Sequence, residues 1–406
     1  MPRVTIICNS FPPETGGAPG RIYRLAKLLQ QGGYEVRVIT AMPNYPLGAI
    51  FPPYRGKLVV NEEVEGIRVK RILVYPSNDK KLLPRALSMM SHVLSLWVLA
   101  FPGLLLRRAD LAIVSSPPLL AAHSGMLLAR LTSKKVLLNV SDLWPLSAVE
   151  MGALNKGWRY RLLLQIEKSM YRLADGFMGQ SKEILQHIRQ LSKKKKPEWL
   201  YRNLQEGLNN TAAPATAAAN TEKKIIYAGL LGHAQGVLDI CRALDFAACG
   251  VRLFIYGNGP ERKALEMLAT RHPEKGIVIC EPLPPAQLSP QLHQFDATLI
   301  PLKYAIAGAV PSKLFLAIAH QLPVLFCAGG EGEELVQEHG LGWVSPPGDH
   351  AALLVNIRRM VAQDEAAGTE MRQRLATAAS SSFNARQQGR DFLAFLNHFL
   401  QGHAGI

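Results

Sequence analysis

Residues 4–40 read VTIICNSFPPETGGAPGRIYRLAKLLQQGGYEVRVIT. A short apolar run, Val4–Cys8, leads into a proline- and glycine-rich loop, Ser10–Gly20; Leu25, Leu28 and Leu29 then recur on one face of a helical pattern over Ile22–Gln31, and Glu35–Thr40 is a second short strand. Two short apolar runs joined through a helix predict neighbouring parallel strands, because a parallel pair needs a crossover of a dozen or more residues.

The rhythm continues outward. Ile67–Val74, Leu111–Ser115 and Val136–Val140 read as further strands, with helices over Arg85–Leu106 and around Ala121–Leu131. A second series follows, with strands at Ile225–Ala228, Arg252–Tyr256, Ile277–Cys280, Ala297–Pro301 and Val324–Cys327, and helices around Val237–Ala248, Glu261–Thr270 and Ser312–Ala319. Helical patterns at Ala351–Gln363 and Arg386–Leu400 close the chain. Between the series lie the run Lys193–Lys196 and the uncharged stretch NNTAAPATAAAN, residues 209–220, which reads as a linker or exposed loop. The expectation is therefore an α/β protein of two doubly wound, Rossmann-like domains, 1–208 and 222–385, joined through 209–221, with the helix at about 386–406 packing back on the first. Two such domains would place a ligand in the cleft between them, at the carboxyl ends of the strands.

At 406 residues, 48% apolar and 19% charged, the chain is long and apolar enough for two cores and is not a disordered protein. Its net charge of +15 is uneven: residues 1–208 hold 30 basic and 14 acidic side chains, residues 209–406 hold 16 and 17. Such asymmetry predicts that the first half faces a polyanion. Nucleic acid is disfavoured, since the basic residues are not interleaved with aromatic ones as a base-stacking platform requires. Cys8, Cys241, Cys249, Cys280 and Cys327 form no C-x-x-C pair, which argues against a disulfide framework or a zinc site and for a reducing cytosol. The opening Met1-Pro2-Arg3 lacks a signal-peptide pattern. Ala86–Leu106 has the length of a membrane span, but three serines, His92 and Pro102-Gly103 interrupt it, so a buried or membrane-dipping helix is expected.

Several loops suit a phosphate-bearing ligand. In FPPETGGAPGR, Gly16 and Gly17 precede a helix start and Arg21, which favours an anion. IYGNGP places Gly257, Asn258 and Gly259 after a strand and before a helix begun by Pro260-Glu261. NVSDLWP puts Asp142 at a strand's carboxyl tip, where it serves either chemistry or a helix cap. VPSKL sets Ser312 and Lys313 at a helix start, a phosphate-binding arrangement. His123 and His233 are isolated histidines, and Walker, H-E-x-x-H and G-x-S-x-G patterns are missing, which removes P-loop NTPases, zinc proteases and serine hydrolases of those types.

In order and spacing these segments, together with YAGLLGHAQG, LPPAQLSPQLHQFDATLIPL, PSKLFLAIAHQLPVLF and ELVQEHGLGWVSPPGD, resemble family-four retaining glycosyltransferases of the GT-B fold, in the branch that builds O-antigen, capsule and colanic-acid-like exopolysaccharides. The resemblance covers nearly the whole chain. It implies that the second domain binds a UDP- or GDP-sugar and the first a saccharide or lipid-linked acceptor at the anionic inner face of the cytoplasmic membrane, with no metal and no other cofactor. Catalysis would then be stabilisation of the departing diphosphate. Gly16 and Gly17 would offer backbone N–H groups; Ser312 and Lys313 would neutralise charge; Gly257, Asn258, Gly259 and the loop Glu281–Pro284 would line the nucleotide pocket.

The chain departs from the family pattern at three places. Positions that usually hold a basic pair after the second domain's first strand read Leu230 and Gln235. The usual paired glutamates read Gly308 and Leu316, leaving Glu331, Glu333 and Glu334, on the loop after the next strand, as substitutes, with Glu334 taken as donor-binding. The usual histidine after the IVSS strand reads Ser115 or Ser116, which leaves Asp142 and His123 as catalytic candidates. The alternative expectation is a non-catalytic homologue acting as scaffold or partner. An epimerase of the same architecture is a weaker one, since it would have no use for a basic acceptor domain. The amphipathic segment Gly157–Leu173, with Trp158, Leu162, Ile166 and Met170 set against Arg159, Arg161, Lys168 and Arg172, fits either docking on anionic lipid or an ordinary core helix.

Overall fold

The structure, a computed structural model, describes residues 1–45, 48–77, 82–206 and 222–402. The expected linker 209–221 lies outside the described residues. The chain forms two compact units, Met1–Arg202 with Gly389–Ile406, and Asn203–Gln388.

The first unit runs β1 (Arg3–Ile7), α1 (Gly17–Gln31), β2 (Glu35–Ala41), β3 (Val59–Val64), β4 (Ile67–Ile72), α2 (Leu82–Ser95), a π turn (Leu96–Ala100), α3 (Phe101–Leu106), β5 (Ala109–Ser116), α4 (Leu119–Thr132), β6 (Ser133–Val140), α5 (Leu146–Glu150), α6 (Trp158–Leu173), β7 (Gly176–Gly179), α7 (Lys182–Leu191) and β8 (Glu198–Leu200). Its sheet order is β3-β4-β2-β1-β5-β6-β7-β8, parallel apart from the antiparallel edge pair β3 and β4. β3, VVNEEV, was not foreseen: its polar, half-exposed residues lack the apolar run that marks a buried strand. The expected single helix Arg85–Leu106 is instead broken by the π turn just before Phe101-Pro102, where proline removes a ladder N–H.

The second unit runs β9 (Lys223–Leu230), α8 (Val237–Ala243), β10 (Val251–Asn258), α9 (Arg262–Arg271), β11 (Ile277–Cys280), α10 (Pro285–Leu288), β12 (Ala297–Pro301), α11 (Ser312–Ala319), β13 (Val324–Cys327), α12 (Gly330–His339), β14 (Gly342–Val344), α13 (His350–Val361) and α14 (Glu365–Ser380). Its sheet, β11-β10-β9-β12-β13-β14, is parallel throughout. Successive residues feed opposite cores: Ile225, Tyr227, Leu299 and Leu325 join one cluster, Ile226, Ile300, Val324 and Phe326 the other. That two-sided burial is why these strands are continuous apolar runs rather than alternating ones. A final helix, α15 (Ala385–Gln401), sends Phe392, Leu396 and Phe399 into the first unit's core beside Val4, Leu25 and Leu29.

Candidate functional site

In each sheet the strand order reverses beside the first strand of the unit, between β1 and β5 and between β9 and β12. Loops leaving the two sides of such a point diverge, which opens a crevice at the strands' carboxyl ends.

In the second unit that edge carries a cation without a counter-charge. Lys313, in the first turn of α11, lays its Nζ 3.7 Å from the centre of the Tyr227 ring. Among the described residues no carboxylate or carbonyl lies within hydrogen-bond reach of this ammonium, and burial pulls its pKa down to about 7. Gly229, at φ +146°, makes the arrangement available: a Cβ there would stand 2.6 Å from Lys313 Cε. No side chain caps α11, so its first backbone N–H groups lie beside the lysine as further donors. Lys313 is thus brought to the end of β9, with Ser312 next to it at the helix start.

Gly257 and Asn258 end β10, in register with β9 at Gly229 and Leu230, and Gly259 follows at once. What these glycines admit is backbone: a Cβ on Gly257 would stand 2.2 Å from the Gly229 carbonyl oxygen, and one on Gly259 2.5 Å from that of Leu231. Asn258 Oδ1 accepts from the Gly259 N–H at 2.8 Å, holding the turn. Directly after it, Glu261 reaches back: its Oε1 is 3.5 Å from His233 Nδ1 and its buried Oε2 has no hydrogen-bond partner among the described residues. Sequence reading took Glu261 only as a helix start and His233 as isolated; their meeting depends on two loops folding onto one edge.

Two expectations here need correction or explanation. Glu331, Glu333 and Glu334 are not on a loop: Gly329 and Gly330, both at positive φ, complete the turn after β13, and α12 begins at once. Glu334 is exposed on that helix, whereas Glu331 is buried in its first turn. Gly308 and Leu316, where the resemblance leads one to expect paired glutamates, have structural work instead. Gly308 adopts φ +75°, a left-handed turn conformation that favours glycine, and Leu316 packs against the apolar cluster around Leu314 and Phe315.

In the first unit, Gly16 at φ +132° precedes α1, which starts at Gly17 without a side-chain cap or an acidic residue. The loop before it is pinned by buried charge. Glu14 accepts backbone N–H groups from Phe11 (3.1 Å), Asn44 (3.0 Å) and Tyr45 (2.9 Å), while burial raises its carboxyl above the ordinary range. Arg71, wholly buried, pairs with Glu62 at 2.5 Å, donates to the Pro12 carbonyl and lies 5.2 Å from the Tyr54 ring centre. Arg21 crosses from α1 to the end of β6, donating to Ser141 Oγ at 2.8 Å, and burial pulls it down to about 10. Next to that serine, Asp142 has its pKa raised by burial, and its Oδ1 has no hydrogen-bond partner among the described residues. Gly16, Gly17 and Asp142 therefore share the carboxyl edge of this sheet. His123 does not join them; it sits on α4 with Nε2 3.1 Å from Ser169 Oγ on α6, between two helices.

Comparison with known proteins places a family on each unit. The Glycosyl transferase 4-like domain matches residues 16–196, and the Glycosyl transferases group 1 domain matches residues 222–363. A Pseudomonas aeruginosa protein named as glycosyltransferase WbjE is 26% identical over 322 residues, 76% of this chain and 79% of its own. The Escherichia coli K12 protein WcaI, named for colanic acid biosynthesis, is 25% identical over 377 residues, 88% of this chain and 91% of its own. Among solved structures, the lipopolysaccharide glycosyltransferase WaaG superposes with a TM-score of 0.67 at 14% identity, covering 98% of this chain and 100% of that one. Sucrose-phosphate synthase of Thermosynechococcus elongatus gives 0.71 at 15%, with 99% and 100% covered. With a 4-like domain on its first unit and a group 1 domain on its second, the chain belongs to the glycosyltransferases of the GT-B fold.

Proposed function

We propose that the protein moves a sugar, with retention, from a UDP- or GDP-sugar to a polyprenyl-diphosphate-linked acceptor during surface polysaccharide synthesis, working at the inner face of the cytoplasmic membrane. The observation that carries this reading is Lys313, a cation held at a strand-end crevice against an aromatic face with no counter-charge of its own. A diphosphate supplies that charge. As the donor's anomeric bond breaks, negative charge gathers on the leaving diphosphate, and Lys313 with the N–H groups at the start of α11 stabilises it more strongly than the ground state. The reading assigns this work to the chain's own donors and to no metal. In the first unit, Gly16 and Gly17 offer backbone N–H groups at their own helix start, and Asp142 orients the acceptor hydroxyl. Leu316 cannot accept a ribose hydroxyl; Glu261, with one carboxylate oxygen without a partner, takes that part in place of Glu334, which is exposed.

The test is a calorimetric screen of UDP- and GDP-sugars, followed by transfer to a lipid-linked acceptor with the anomeric configuration of the product read by NMR. Binding of at least one donor with micromolar affinity and a retained configuration are expected. No heat with any donor would turn the reading to a scaffold protein.

A further inference from the structure

We propose that α2, the π turn and α3 form a wedge that lies in the plane of an anionic bilayer, its outer stripe Leu87, Met90, Leu94, Val98 and Leu105 entering the acyl region. This inference deepens the lipid-linked-acceptor reading above and rests on it for its biological sense.

The stripe is an inversion of ordinary amphipathicity. Its members follow one another three or four residues apart, with the exposed Pro102 before Leu105, and they face solvent, Leu94 at 65% and Val98 at 59% exposure. From Ala86 to Leu106 there is no Asp, Glu, Lys or Arg. Polar groups instead face inward: His92, held neutral by burial at about 4, meets Asn9 Oδ1 at 3.1 Å, and Lys70 donates to the Leu99 carbonyl at 2.5 Å. Leu96, Ala100 and Leu104 are buried. The helix is long and apolar enough to cross a membrane. Crossing would strip these inward bonds and leave His92 and its partners unsatisfied in hydrocarbon, so the helix lies along the surface with its outer face down.

The rim identifies the occupant. Arg107 and Arg108 are exposed at the stripe's end. α2 and α6 both pack on α4, and α6 presents Trp158 and Leu162 to solvent with Arg159, Arg161 and Arg172, the Arg159 guanidinium 5.5 Å from the Trp158 ring centre. An apolar stripe ending in two arginines, with exposed tryptophan and guanidinium groups on the other helix packed on α4, matches the depth profile of an anionic bilayer interface, acyl chains inside and phosphate headgroups around them.

Flotation of the full-length protein with phosphatidylcholine vesicles, with and without phosphatidylglycerol, tests this. Wild type should float with the anionic vesicles and bind less at raised salt. Leu94→Gln with Val98→Gln should lower partition by roughly tenfold or more, and the milder Leu94→Ala with Val98→Ala should move it the same way with unchanged circular dichroism. Arg107→Glu with Arg108→Glu should remove most of the salt dependence. Failure of wild type to float, glutamine variants that float like wild type, or a wild-type dimer that those variants dissolve would each overturn the wedge, the last by assigning the face to a second copy. Transfer to a water-soluble acceptor analogue separates the two readings. The glutamine variants should keep it, and a wild type that floats but transfers nothing would overturn the functional reading while sustaining the wedge.

Discussion

The two sheet edges hold charge in opposite ways. In the first unit Glu14 takes three backbone N–H groups, and Arg71 meets Glu62 and the Pro12 carbonyl with only its Nη1 lacking a hydrogen-bond partner among the described residues; the outcome is a fixed loop ahead of Gly16. In the second unit, among the described residues, Lys313 has only the face of Tyr227. A satisfied buried charge specifies a conformation, whereas an unanswered one costs the free protein stability and is recovered when a ligand arrives. On the reading proposed above, the charge at the first edge shapes its loop and the charge at the second awaits a ligand.

That contrast breaks most readily at Arg71. Removing one partner of a buried pair leaves the other uncompensated, so Arg71→Met should cost about 3 kcal/mol in urea unfolding; a cost under about 1 kcal/mol would mean that the loop is not held by this pair. At Lys313 the sign should reverse. Lys313→Met should leave stability equal or higher, yet weaken nucleotide-sugar binding by about 2 kcal/mol, roughly thirtyfold in Kd by calorimetry. A destabilised variant with unchanged affinity would make Lys313 structural.

The pH dependence sharpens the same point. With Lys313 near 7 in the free protein, a donor that needs the ammonium should bind about tenfold more weakly per pH unit above 7, with proton uptake visible in calorimetry. The stability sign follows from the same shift. Between pH 7 and the unfolded value of 10.5 the folded state binds fewer protons, so stability rises with pH across that window and the slope diminishes in Lys313→Met. The smallest effect belongs to His123, whose contact is one hydrogen bond between helices: His123→Ala should cost about 1 kcal/mol and leave transfer rates unchanged. A large fall in rate with intact stability would return His123 to the catalytic list.

Much of this was legible in the chain. The runs at Val4–Cys8, Ile225–Ala228 and Val324–Cys327 are strands because apolar residues without alternation persist only where both faces of a sheet are covered. β3 and α14 were not legible, since a half-exposed edge strand and a helix burying only Met371, Leu375 and Ala378 carry little apolar signal. Glu261 was read as a helix start for a related reason: nothing in IYGNGPE says that the next loop will bring His233 to it.

By itself the sequence determined the two doubly wound halves, the family, the uneven charge and the lysine beside a helix start, because strand burial, turn chemistry and helix initiation are local preferences written in adjacent residues. Only the tertiary structure decided that Lys313 lies on Tyr227 with no counter-charge among the described residues, that Arg71 is buried against Glu62, and that the stripe from Leu87 to Leu105 faces outward. Desolvation and exposure belong to a residue's surroundings, and residues far apart in the chain supply those surroundings only once it has folded.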